Sequence, residues 1–460
     1  MLDQSDSSAH VAESQTQSQA AAEVAANPGE QGSPLTADTK SCPLSSEYSQ
    51  IMRRAARTIF DPASLGNIDE LLRKYDCLIK SPSDAIAYAD EALKVAGDPY
   101  TDLHPREEAE KLERMEEGVL KGGLGITMKV EPGTETAHVG PVLISRVVKD
   151  GPAARGGMLP GDNLVAVDGS SLADKTLGQT LALLGGEDGE PIKLDVIRDG
   201  KPLSLDVTRG PVDIPAVEDQ RLEDNIAYIR IFTFGQGDTA EELKSALERH
   251  QDASAYVVDL RDNGGGNVDQ ALLSASLFLD SGLLMSTRER SPSDWDEPEY
   301  DVTKYDLTST NIDVTKHDAL MVGLQKLVPD LDRLPDMVDK PVVILTNGDT
   351  ASASEILAGA LRENGAARLV GERTTGKGIG QTISRDMPEG SWLRVTTFRY
   401  FTPSGQWLGD GHNDRIGLKP DIESPMDWRR IFGSSQDSQL AAALNSLRAE
   451  QQTRPEITAR

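Results

Sequence analysis

The run TASASEILAG (350–359) places Ser352 and Ser354 one residue apart at the mouth of a helix-like segment, directly behind the strand-like PVVILTN (341–347). A serine at such a turn has two uses. It can cap the helix, which stabilises by about 1 kcal/mol. It can also be a nucleophile, with the unpaired N–H groups and the dipole of the helix start receiving the charge that develops on a carbonyl oxygen. On this stretch alone capping is the stronger reading. A hydroxyl attacks only when a base removes its proton, and GERTTGKGIGQ (371–381) holds a candidate in Lys377, which reads otherwise as a glycine-flanked surface lysine on a loop. Lysine serves as a base when neutral, which requires burial to bring its pKa from about 10.4 toward about 7–8. Gly376 and Gly378 let the backbone carry the amine into a tight apolar site. Of the six histidines, His412 in LGDGHNDR lies on a loop suited to a Ser–His pair, and it is the weaker base candidate. A third element, DLRDNGGG (259–266), ends a strand in three glycines whose N–H groups can face an oxyanion; an ordinary flexible turn has the same composition.

Competing uses of these residues are weaker. Gly371 to Lys377 spells G-x-x-x-x-G-K, but Gly378 stands where a nucleotide loop needs Ser or Thr, and the residues that follow read as strand rather than helix. Ser354 reads as a helix-turn residue. Glu355 is either a hydrogen-bonding group of the site or a favourable first-turn acid. Cys42 and Cys77 have no metal-ligand spacing and HExxH is absent, so no metal site is expected. The two cysteines fit one disulfide or two separate thiols equally.

The surrounding pattern must position these groups. Residues 1–45, rich in Ser, Gln, Ala and Glu, are expected to be a disordered leader. Residues 46–107 carry apolar residues three and four apart and read as a helical N-terminal domain. Residues 108–210 read as short strands with turn signals and two helical pieces, a small β domain. From 211 to 427 strands and helices alternate, which predicts an α/β core with a largely parallel sheet; the polar, Asp-rich 287–339 interrupts it as an insertion or lid. Residues 428–460 read as a helical or disordered tail. The fold class expected is multidomain α+β.

Lys plus Arg number 47 against 75 Asp plus Glu, a formal charge of −28. Such a surface repels phosphate backbones, so nucleic acid is not an expected partner. No apolar run reaches 18 residues, so no membrane span is expected, and the N-terminus lacks a signal-peptide pattern.

DPYT (98–101), GLGI (123–126), GPAARGGMLPGDNLVAVDG (151–169), YIRI (228–231), DLRDNGGG, SASEILAGAL and GERTTGKGIGQ occur in the order found in a known family. Together they resemble the C-terminal processing, or tail-specific, proteases: serine peptidases with a PDZ-like β domain and a crotonase-like α/β core. The resemblance spans about residues 98–425. It implies Ser352 as nucleophile, Lys377 as general base and Gln381 as the group that holds the lysine. It implies an oxyanion hole from the N–H groups of Ala353 and of a glycine in 264–266, foremost Gly265. Gly123, Leu124, Gly125 and Ile126 would be the PDZ loop that captures a terminal carboxylate while the peptide adds to a sheet edge. The function implied is endoproteolysis of proteins recognised by apolar C-termini, with no metal or organic cofactor. A homo-oligomer or an adaptor protein is compatible with it, and a cell-envelope or periplasmic site is implied. The alternatives are a non-catalytic PDZ peptide-binding scaffold and a crotonase-like hydrolase of small acyl compounds. The sequence departs from the family pattern at Glu363, where Asp is common, and at Gly185, where Arg is common.

Overall fold

The runs NIAYIRI, SAYVVDL and PVVILTN become neighbouring strands of one sheet in the computed structural model. The structure describes residues 45–75, 77–116, 119–130, 140–291, 300–308, 311–316, 319–323, 340–427, 429 and 431–453. The leader expected at 1–45 lies outside them apart from Ser45, as does the tail beyond 453. The described residues form two units: 119–214 with 426–440, and 45–116 with 215–425 and 441–453.

In the larger unit the sheet runs Val217–Arg221, Ile226–Ile231, Ala255–Asp259, Val342–Thr346, Ala367–Gly371, Ile422–Glu423. The first pair is antiparallel and the rest parallel. Ala255–Asp259 and Val342–Thr346 are buried along their whole length, as their unbroken apolar runs require of strands covered on both faces. The helices Thr239–Arg249, Val268–Ser276 and Ala353–Glu363 supply the cover, and Leu243, Leu272, Ile356 and Leu361 share one core with Ile229, Val258 and Ile344.

A second, antiparallel sheet runs Asp102–His104, Trp392–Phe401, Gly282–Arg290, Tyr300–Leu307, Ile312–Lys316, Ala319–Gly323, with Ile379–Ser384 also paired to Trp392–Phe401. Three of these strands fall inside the stretch expected to be an insertion or lid at 287–339, whose described residues extend a sheet. The helices Ser46–Thr58, Ile68–Lys74 and Pro82–Leu93, read from sequence as a domain of their own, belong to this unit. Ile51, Met52, Ala89 and Leu93 share a core with Leu393 and Val395 of the sheet and with Met387, which lies in the connection ahead of Trp392–Phe401. Short amphipathic helices bury one stripe each and need a second layer to cover it.

The smaller unit is a five-stranded sheet in the order Ile126–Lys129, Val142–Val147, Asn163–Val167, Pro191–Arg198, Lys201–Thr208, with the short strand Ser170–Ser171 beside Asn163–Val167. Helices Pro152–Arg155 and Leu177–Leu184 accompany it. Val119–Gly123 and Gly210–Asp213 pair antiparallel, so the chain enters and leaves this unit side by side. No described helix is long and apolar enough to cross a membrane.

Candidate active site

Ser352, the glycine turn and Lys377 lie far apart in sequence but follow three adjacent parallel strands. Ala255–Asp259 leads into Asn263–Gly266, Val342–Thr346 into Ser352, and Ala367–Gly371 into Lys377. The register sets Asp259 opposite Leu345 and Thr346 opposite Gly371, so the three carboxyl ends stand side by side. Crevices at such ends are where open α/β sheets bind ligands. Backbone bonds latch the turns together: Ala351 N–H donates to the Asn263 carbonyl (3.0 Å) and Thr375 N–H to the Thr350 carbonyl (2.9 Å).

Ser352 holds φ +55° and ψ −119°, a conformation that a residue with a Cβ adopts only when its surroundings enforce it. Glu355, one turn into the helix and fully buried, provides that enforcement. One carboxylate oxygen accepts the N–H of Ser352 (2.9 Å) and of Lys377 (2.9 Å), and the other accepts Gly376 N–H (2.8 Å) and the Thr374 hydroxyl (2.5 Å). Burial pushes the Glu355 carboxyl above its ordinary pKa, and these four hydrogen bonds pull against that rise. The Tyr400 hydroxyl lies within hydrogen-bond reach of the carbonyls of Ser352 (3.1 Å) and Lys377.

Lys377 is half-buried. Burial, aided by the Arg394 charge, brings its amine from the ordinary 10.5 down to about 8, with Asp98 and Glu355 opposing. The amine lies 4.1 Å from the centre of the Tyr100 ring. No hydrogen bond joins Lys377 Nζ to Ser352 Oγ in this state.

Ala353 N–H, the first of its helix, has no acceptor among the described residues. Gly265 lies against the serine, where an added Cβ would stand 2.8 Å from Ser352 Cβ, Ala353 N and Ala351 O. Its N–H, expected to face an oxyanion, donates instead to Asn263 Oδ1 (2.9 Å), because the positive φ of 102° folds the turn back on that side chain. Gln381, expected to hold the lysine, makes no hydrogen bond to it; its amide donates to Thr396 Oγ1 (3.1 Å) across the pairing of Ile379–Ser384 with Trp392–Phe401. Ser354 is fully buried and donates its hydroxyl to the Asn263 carbonyl (3.0 Å). His412 is exposed, with its N–H on Asp410 Oδ1 (2.8 Å). Glu363, at the far end of the helix, accepts Ser404 N–H (2.6 Å) and is exposed.

Sequence reasoning left Glu355 undecided and passed over Asn263, Tyr400 and Tyr100. Glu355 stands three residues past a helix-capping serine, a legible signal, and Tyr100 lies in the motif DPYT. Nothing around Tyr400 marks it.

In the smaller unit, Leu124 is buried and its carbonyl accepts Ala153 N–H (2.9 Å). Gly125 holds φ +73°, with Val148 and Val212 each 3.2 Å from where a Cβ would stand. Gly123 ends the strand Val119–Gly123, and Ile126 begins a strand at the edge of the sheet. Gly185 follows helix Leu177–Leu184, whose last carbonyls, Leu184 (3.0 Å) and Leu183 (3.3 Å), receive the buried Arg209 guanidinium.

A family model for peptidase family S41 matches residues 225–424, and one for the PDZ domain matches 122–208. The chain is 32% identical over 381 residues to a carboxy-terminal-processing protease of Bartonella bacilliformis, covering 79% of this chain and 75% of that protein. It is 30% identical over 383 residues to the carboxyl-terminal-processing protease of a Picosynechococcus species, covering 81% of each. A solved structure from Bacteroides fragilis, assigned to the S41 proteases, aligns with a TM-score of 0.59 at 17% identity over 87% of this chain and 97% of that one, a likeness of fold. The chain is a serine-type peptidase that carries a PDZ domain. The chain belongs to the carboxy-terminal-processing proteases of peptidase family S41.

Proposed function

We propose that this peptidase cleaves proteins taken by their C-termini and that Ser352 and Lys377 form its catalytic dyad. One observation carries the assignment: a single buried carboxylate oxygen of Glu355 holds the N–H groups of both residues at 2.9 Å, which brings a serine on a strained turn and a lysine of lowered pKa into one site. Neutral Lys377 takes the Ser352 proton as Oγ attacks the scissile carbonyl. The resulting ammonium protonates the leaving amine as the C–N bond breaks, leaving an acyl-enzyme. Water, deprotonated by Lys377, then displaces Ser352. The oxyanion is received by Ala353 N–H, and by Gly265 N–H when substrate takes the place of Asn263 Oδ1. Gln381 reaches the site through Thr396, whose N–H lies on Thr101 Oγ1 (3.1 Å) of the DPYT motif.

The Gly123–Ile126 loop holds the substrate carboxylate, and the edge strand Ile126–Lys129 takes the apolar C-terminal residues by β-augmentation. Homo-oligomers or adaptor proteins are compatible partners. Cys77 is disulfide-bonded, which favours an oxidising site in the cell envelope or periplasm.

Incubating wild type and Ser352→Ala with casein, with and without an apolar C-terminal tag, tests the proposal. Wild type is expected to degrade tagged casein faster and Ser352→Ala neither form. Cleavage by Ser352→Ala refutes the dyad, and equal rates on both caseins refute the C-terminal recognition.

A further inference from the structure

The contacts around the Lys377 amine place it on an aromatic face. Its stem runs past Gly411, where an added Cβ would stand 3.0 Å from Lys377 Cβ and 2.9 Å from the Tyr100 hydroxyl. The amine ends 4.1 Å from the Tyr100 ring centre and makes no hydrogen bond to Ser352. Tyr100 is itself held in place. Its N–H donates to Asp98 Oδ1 (2.9 Å), its hydroxyl lies 3.5 Å from the Gly411 carbonyl, and Thr101 next to it donates to Asp98 Oδ2 (2.7 Å). Asp102, two residues on, joins the sheet through its pairing with Arg394.

We propose that Tyr100 is a positioning residue of the peptidase, whose ring face holds the protonated Lys377 amine in a resting place off Ser352 and releases it once the proton has left. The inference rests on the assignment of Lys377 as base. A ring face attracts the ammonium through its quadrupole and has no comparable hold on the neutral amine. The amine therefore rests on Tyr100 while charged, gives its proton to solvent, and is then free to accept the Ser352 hydroxyl proton. The other charged groups that face it are Asp98 and Glu355, which favour the ammonium, and Arg394, which opposes it and is itself paired with Asp102 at 3.0 Å. Asp410 and Arg415 act on the Tyr100 hydroxyl with opposite sign.

Weakening the ring's hold removes a contact made only by the charged amine, so the acidic limb of activity moves to lower pH. Cleavage of tagged casein by the full chain, followed from pH 5.5 to 10, reads this for Tyr100→Phe and for chains with phenylalanine bearing one to three ring fluorines at position 100. Fluorination drains the ring face while nearly conserving its shape, so folding is spared. Tyr100→Phe, which keeps the ring, is expected to titrate with the wild-type midpoint, and the fluorinated series to step downward by a total of roughly 0.4–1.5 pH units. A midpoint that stays put or rises along the series, with Lys377→Ala inactive, overturns the inference alone. Activity in Lys377→Ala overturns the base assignment and the inference with it.

Discussion

Ser354 turns its hydroxyl to the Asn263 carbonyl from a fully buried position, whereas Ser352 stands on a turn held open at φ +55°. The two serines should therefore respond differently to loss of the hydroxyl. Ser352→Ala is expected to lose at least about 10³-fold in cleavage rate with its thermal midpoint nearly unchanged. Ser354→Ala should keep most of its activity and lose about 1 kcal/mol of stability, the contribution of one buried hydrogen bond; parallel assays and thermal melts check both. As the proposed base, Lys377 should set the pH dependence. Its amine is charged below about pH 8 and cannot then accept a proton, so cleavage should rise through a midpoint near that value. Lys377→Arg keeps the charge at every usable pH and should be inactive while folded, and His412→Ala should keep the wild-type profile. The same lowering bears on stability. Between about 8 and the ordinary 10.5 the unfolded chain holds a proton on Lys377 that the folded chain has shed, so the contribution of this residue to stability should rise with pH across that window. Lys377→Met removes the group, and urea titrations at pH 7 and 10 should show the stability of wild type relative to this variant increasing with pH.

At the scale of elements, the turns that follow Val342–Thr346 and Ala367–Gly371 meet on one side chain. Each oxygen of Glu355 accepts two donors, and an amide can face only one of the two pairs with an acceptor. Glu355→Gln therefore leaves two buried donors unmet despite its matching shape. It should destabilise by about 2–4 kcal/mol and lower cleavage about 10²-fold or more, measured by denaturant unfolding and by rate. Gly265 is equally constrained by space: Gly265→Ala would set a Cβ 2.8 Å from Ser352 Cβ and from two backbone atoms at φ +102°. That variant should be inactive even where a melt shows it folded. Behind this turn, Asp259 and Arg261 form a fully buried ion pair at 2.6 Å, with the Tyr228 hydroxyl on the same carboxylate (2.5 Å). Removing one partner of such a pair leaves an uncompensated charge and costs about 3–5 kcal/mol, so Arg261→Met should unfold at markedly lower denaturant.

For the whole molecule, the pairing of Val119 with Asp213 makes residues 119–213 an insertion whose ends are adjacent. Replacing that segment with a short Gly/Ser linker should leave the α/β unit folded, since its own cores close without it. The shortened chain should no longer distinguish tagged from untagged casein. Comparing its melt and its two cleavage rates with wild type tests both statements, and a retained tag preference would place recognition outside the PDZ domain.

Sequence alone settled what depends on neighbours along the chain. The apolar runs at 255–259 and 342–346, the helix opening at Ser352, the glycine turn and the helical spacing of Ile356, Leu357, Ala360 and Leu361 are local properties, legible in composition and period. The strands at 300–307 and 312–316 were missed for a local reason too. Their buried face includes Asp301, neutralised by Lys316 at 2.8 Å, and Thr303, so alternation in hydropathy does not mark it. Only the tertiary structure decided which strands are neighbours, and so that the turns after 259, 346 and 371 meet. It also decided that a carboxylate legible as a first-turn acid is the buried hub of the site, that Gln381 answers to Thr396, and that Tyr100 stands under the amine of Lys377. Period and propensity report how one element is buried. Which partners it meets is set by the packing of all the elements at once, and no single stretch of the chain carries that information.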